Sequence, residues 1–224
     1  MATTRQKVER ALYGPSISEV TLGAVLSVAL GVIVAAVYLV AKPVEKVREL
    51  PKEPASDVVY YLEGSRDSTK GKQWMRKRQM LVEGQSAEIA LTEDELNAWA
   101  GAGAKPATDT TSAASGIIRA ESVNFRVRDG WLQIGVPSTF DVFGFVVPVV
   151  LQARGDFEKQ GDQFVFVPRE FMIGSLPAHR LPGLEGLLGN KLLASQNLPE
   201  DIATAWKKLA DARVDGNTLR LTLP

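Results

Sequence analysis

Hydrophobic and polar positions divide this chain into three stretches with different periods. From Val20 to Ala41, VTLGAVLSVALGVIVAAVYLVA, there is no charge and no period at all. At 1.5 Å per residue such a run makes a helix about 33 Å long, matching the hydrocarbon thickness of a bilayer. From there to about residue 100 the pattern is helical, in short pieces. Beyond residue 120 it turns to the period of two that marks strands.

The apolar run carries its own start signal. Gly14-Pro15 closes TTRQKVERAL, which reads as a short amphipathic helix, and Ser16 with Glu19 forms an S-x-x-E capping box. A cleaved signal peptide has an apolar core of about 7–15 residues, shorter than this one, and a small-residue cleavage site. Leu39-Val40-Ala41 followed by Lys42-Pro43 is a poor site, so an uncleaved signal anchor is expected. Small residues recur at Gly23, Ser27, Gly31 and Ala35, four apart and so on one face. Such a stripe admits another helix at close range; it is also the ordinary composition of membrane helices. Orientation is not set by charge. Arg5, Lys7 and Arg10 before the run nearly balance Lys42, Lys46, Arg48 and Lys52 after it. A short arm inside and a large domain exported is the commoner arrangement, and it is the one expected.

The organisation that follows is an arm over 1–19, a transmembrane helix over 20–41, a spacer over 42–56 and an extracytoplasmic domain over 57–224. Pro43, Pro51 and Pro54 bracket the charged spacer and predict a stiff one. In the domain, SDVVYYLEGS suggests a brief helix after Ser56, and STKGKQWMRKRQMLVEG a longer one. The basic cluster of the latter (Lys70, Lys72, Arg76, Lys77, Arg78), beside Trp74 and Met75, suits either anionic headgroups or a plain solvated face with the tryptophan tucked inward. AEIAL predicts a strand. Thr92 with Glu95 predicts the next helix start, where Glu93, Asp94 and Glu95 serve capping rather than metal or acid–base chemistry. GAGAKPATDTTSAASG is a loop, without the spacing of a P-loop.

Strands then dominate. SVNFRVR alternates Val123, Phe125 and Val127 with Asn124, Arg126 and Arg128, and Asp129-Gly130 turns it back into WLQIGV. TFDVFGFVVPVVLQARGDF and QFVFVPREFMIG follow around Gly161-Asp162. PGLEGLLGNKLLAS and PEDIATAWKKLADA read as helices, and a hairpin around Asp215-Gly216-Asn217 closes the chain. The fold class is therefore α+β: one N-terminal transmembrane helix followed by a curved antiparallel sheet packed with helices. The stretch from Val142 to Ala153 is apolar on both faces, as is Phe164–Val167. Val142, Phe143, Phe145, Val146, Val150, Phe164 and Phe166 are thus either core or the lining of an apolar groove. Pro148 suggests a bulge or an edge position.

LTEDELNAW, a sheet, and then FMIGSLPAHRLP resemble the membrane-anchored bacterial envelope proteins of the YpmS type, and more loosely the tubular lipid-binding (TULIP-like) domains. The resemblance covers roughly residues 86–224. It gives Leu96, Asn97, Gly174 and Pro177 structural roles and implies no catalytic residue.

Composition narrows the chemistry. Net charge is zero, so nothing points to nucleic acid. No cysteine is present, and His179 is the one histidine, which removes disulfides, thiolate catalysis and most zinc or serine-triad arrangements. No enzyme activity, cofactor or metal is expected. The expected function is a membrane-anchored extracytoplasmic domain, in the bacterial cytoplasmic membrane, that binds or passes on a lipid or other apolar ligand. The alternative is a single-pass accessory subunit docking a membrane-protein partner or a second copy.

Overall fold

In the computed structural model of the chain, the described residues are 14–67, 69, 72–84, 87–103, 118–142, 144–181 and 200–224. The N-terminal amphipathic helix, the helix expected over 181–194 from residue 182 on, most of the 101–116 loop and Phe143 lie outside them. Two compact units emerge, residues 1–39 and residues 40–224.

The described part of the first carries helix α1, Ile17–Ala41, which begins three residues before the uncharged run and ends two residues into the second unit. Its capping box is closed. The Glu19 amide donates to Ser16 Oγ at 3.3 Å, and the Ser16 amide to a Glu19 carboxylate oxygen at 3.2 Å. None of its residues is buried, and its apolar side chains point to every side. By length and composition it is able to cross a membrane.

The second unit is built on a long meander. In chain order it contains β1 (Glu45–Val47), β2 (Tyr60–Leu62), α2 (Lys72–Glu83), β3 (Glu88–Thr92), α3 (Glu93–Gly103), β4 (Ile118–Ala120), β5 (Asn124–Arg128), β6 (Trp131–Val142), β7 (Phe145–Gln160), β8 (Gln163–Ile173) and β9 (Leu176–Pro177). Then come a 3-10 turn at Ala178–Arg180, α4 (Glu200–Trp206), β10 (Asp211–Asp215) and β11 (Thr218–Thr222). β6, β7, β8 and β9 pair antiparallel in sequence, and β4 and β5 share the free edge of β6. A second sheet, in the order β10-β11-β3, and a short parallel β1-β2 pair complete the set. This is the α+β class expected. Asp129 and Gly130 both take positive φ (54° and 79°), which matches the right-handed twist of the strands they join.

The core gathers at one end of the meander. Phe125, Val127, Leu132 and Phe164 meet Trp74 and Leu81 of α2, Leu96 of α3, Ile202 and Ala205 of α4, and Leu219 and Leu221 of β11. Trp74 packs against Trp99, and Trp99 stacks on Phe125. Phe157 sits between Phe166 and Trp206, whose indole N–H donates to the Phe164 carbonyl at 2.7 Å.

Three expectations need correction. VVYYL is a strand, because its backbone pairs in parallel with residues 45–47, a long-range contact that local periodicity does not report. The helix predicted over 199–212 stops at Trp206, and Asp211 already begins β10, because its backbone is needed to pair with Thr222. The segment after α1 is not a free spacer. Besides β1, it gives the Arg48 carbonyl to Arg126 Nη1 (2.8 Å) and the Lys42 carbonyl to Ser175 Oγ (3.3 Å).

Candidate functional site

The apolar strand from Val142 to Ala153 is in fact the end of a hairpin. β6 runs to Val142, Gly144 takes φ 83° in the turn, and β7 returns from Phe145. Asp141 holds this turn by accepting the Gly144 amide at 3.1 Å. β7 is sixteen residues long, yet β8 pairs only with its second part, from Leu151 onward. Among the described residues, 145–150 therefore form a sheet edge, and Pro148, which has no N–H to donate, sits on it opposite Thr139. The bulge lies elsewhere, at Arg154/Gly155.

Period-two alternation assigns the faces. Val147 and Val149 share the face that, toward the other end, carries Leu132 and the core. Val146, Pro148 and Val150 share the opposite face with Gln133, Gly135 and Arg126. Val149 and Val150 are both buried, at 2% and 4% exposure, so the sheet is covered on both sides there. Val146, four residues nearer the turn, is 64% exposed.

Among the described side chains, the groove candidates are not all brought together, and Phe143 lies outside the described residues. The backbones of Val142, Phe145 and Val146 belong to the hairpin end. Phe164 and Phe166 lie in the aromatic core, paired across from Lys159 and Phe157. Along β7 the separation from Val146 to Phe157 is about 36 Å at the usual rise. Phe164 is 9% exposed and its ring is packed, so it lines no open groove. Two recesses, of about 610 and 510 Å³, lie on the helical side. One is lined by Val82, Asp201, Thr204 and Lys208, the other by Lys72, Met75 and Arg76, and neither includes a groove candidate.

The opposite face of β5 and β6 is polar, and it is covered. Asn124 clamps Gly64, accepting its amide at 2.7 Å and donating to its carbonyl at 3.2 Å, while Tyr61 Oη donates to the same Asn124 oxygen at 3.1 Å. Gln133 donates to the Leu62 carbonyl at 3.0 Å. A Cβ at Gly135 would fall inside the Tyr61 ring, so glycine is needed there for the ring to lie flat on the sheet. Burial pushes the Tyr61 phenol far above its usual range, the nearby Glu63 adding to the effect.

The motif residues hold backbone. Leu96 is in the core. Asn97 substitutes for a neighbouring strand along β5: Nδ2 donates to the Phe125 carbonyl at 2.7 Å and Oδ1 accepts the Phe125 amide at 2.6 Å. Glu93 continues this edge by accepting the Val127 amide at 3.0 Å. Gly174, at φ 59°, donates to the Val150 carbonyl at 2.9 Å, and a Cβ on it would lie 2.5 Å from the Val40 carbonyl oxygen. Pro177 lies in β9 opposite Met172.

Two cations of the basic cluster, Lys77 and Arg78, are committed within the fold, while Lys72, Arg76 and the neighbouring Met75 are exposed and Lys70 lies outside the described residues. Lys77 Nζ is 2.6 Å from one oxygen of Glu95, itself 1% exposed, and 2.6 Å from the Ala90 carbonyl. Arg78 pairs with Asp201. Trp74 is buried, as the solvated-face reading requires. His179 places Nδ1 3.1 Å from the Phe171 carbonyl oxygen and 3.3 Å from its amide nitrogen, tying β8 to the following turn. In α1, Gly23, Ser27 and Gly31 are exposed and Ala35 is too, with open space around both glycines.

No family model matches the chain, so none confirms the resemblance drawn from LTEDELNAW and FMIGSLPAHRLP, and no curated protein matches it either. Among solved structures it is similar to one titled "Crystal structure of lipopolysaccharide binding protein", at 13% identity and a TM-score of 0.17, over 63% of this chain and 40% of that one. At that score the likeness bears on neither fold nor ligand.

Proposed function

We propose that the chain is a single-pass protein of the bacterial cytoplasmic membrane, with its domain outside the cytoplasm, that binds or passes on a lipid or other apolar ligand through the hairpin end of β6 and β7. One observation carries this reading. Residues 142–153 are uncharged, yet Val146 stands out to solvent on a domain whose core is filled elsewhere. An exposed, uncharged sheet edge invites strand pairing and aggregation unless something apolar covers it. Beside the chain's apolar helix, the abundant apolar partner is lipid. No catalytic role, cofactor or metal is proposed.

Lipid extraction and mass spectrometry of the purified domain, residues 42–224, test the reading. Wild-type domain is expected to carry lipid or take up a fluorescent fatty acid, and Val146→Asp to lose it while circular dichroism stays unchanged. Absence of lipid from well-folded wild-type domain would replace this reading with the second one. There the chain is an accessory subunit, favoured by the open, close-approach face at Gly23 and Gly31 of α1.

A further inference from the structure

We infer that the β6–β7 hairpin end is a second membrane contact: it enters the interfacial layer of the same leaflet from which α1 emerges. This goes beyond ligand binding, and it rests on α1 spanning a membrane. The argument is one of reach. Lys42 follows the last residue of α1 and gives its carbonyl to Ser175 Oγ. The adjoining Gly174 amide donates to the Val150 carbonyl, and Gly174 lies against the Val40 carbonyl. So Val40 and Lys42, at the end of the apolar helix, lie against Gly174 and Ser175, and Gly174 is bonded to β7 at Val150.

Val146 is four residues further along β7, about 13 Å at the strand rise. The interfacial layer on each side of a bilayer is about 5–8 Å thick, so a segment about 13 Å along the strand meets it where β7 runs along or toward the membrane. Its composition suits that layer. Between Asp141 and Arg154 there is no charge, and Asp141 itself is turned to the Gly144 amide. Val146 and Pro148, on one face, are exposed. Other surfaces fit less well: on α2, Lys77 and Arg78 are held by Glu95 and Asp201, and the exposed Lys72 and Arg76 lie on the same helix at the core end, which β6 runs away from.

The chain has no cysteine, so one introduced thiol can be labelled without background. Full-length Val146→Cys and Pro148→Cys, carrying an environment-sensitive fluorophore, are placed in phosphatidylcholine–phosphatidylglycerol vesicles. Val165→Cys, exposed on β8 near the Gly161 turn, is the reference. Blue-shifted emission at 146 and 148, with quenching by nitroxide-labelled lipid several-fold stronger than at 165, is expected. Water-like emission at 146 and 148 in protein that resists carbonate extraction overturns the second contact and leaves the α1 anchor standing. Emission shifted but unquenched by lipid overturns it in favour of a protein partner. Release of the chain by carbonate removes the anchor and this inference together.

Discussion

Asn97→Ala removes a side chain that does the work of a strand. Its amide makes three hydrogen bonds: to the Phe125 carbonyl, from the Phe125 amide, and to the Ser65 carbonyl at 2.8 Å. Asn97 is 4% exposed, so water does not readily take its place. Each neutral hydrogen bond contributes about 1 kcal/mol net, and a buried backbone group left unpaired costs about 1–3 kcal/mol. Three bonds lost, two of them at one buried residue, give a destabilisation of about 3–4 kcal/mol. With a urea slope of about 2 kcal/mol/M, the unfolding midpoint falls by about 1.5–2 M. Tryptophan fluorescence of the full chain in micelles reads this corner directly, since Trp99 stacks on Phe125 with ring centroids 6.2 Å apart. Amide exchange at Phe125 should accelerate more than at Val127, whose amide keeps Glu93. Asn97→Asp keeps the acceptor but loses both donated bonds, and should fall near the alanine variant. A midpoint shift below about 0.3 M, well under the loss of a single hydrogen bond, would refute the strand-substitute role.

Lys77→Met leaves Glu95 buried without its cation and is expected to cost about 3 kcal/mol in the same urea assay, whereas Arg78→Met breaks a half-exposed pair and should cost under about 1 kcal/mol; equal losses would contradict the burial argument. Tyr61 gives a pH dependence. Its folded pKa is raised above the unfolded value of about 10, so its contribution is fully present below that pH and is lost as pH rises beyond it. Absorbance at alkaline pH should therefore show one tyrosine ionising only together with unfolding, and Tyr61→Phe should remove that step.

What could be read along the chain is what short-range rules encode. The Ser16–Glu19 and Thr92–Glu95 boxes, the turns at Asp129-Gly130, Gly161 and Gly216, and the uncharged membrane-length helix depend on residues within a few positions of one another. The α+β class followed from the change of period. The missed features are all products of distant pairing. The polar face of SVNFRVR looks solvent-facing in sequence, yet Asn124 and Arg126 are buried, because residues 45–64 lay their carbonyls and Tyr61 across it. VVYYL became a strand only by meeting residues 45–47. Two-sided apolarity marked both Val146 and Phe164, but alternation cannot say what lies opposite a face. Tertiary structure decided that: α4 and Phe157 pack with Phe164 in the core, while β8 ends its pairing at Leu151 and leaves Val146 beyond any described partner strand on that side.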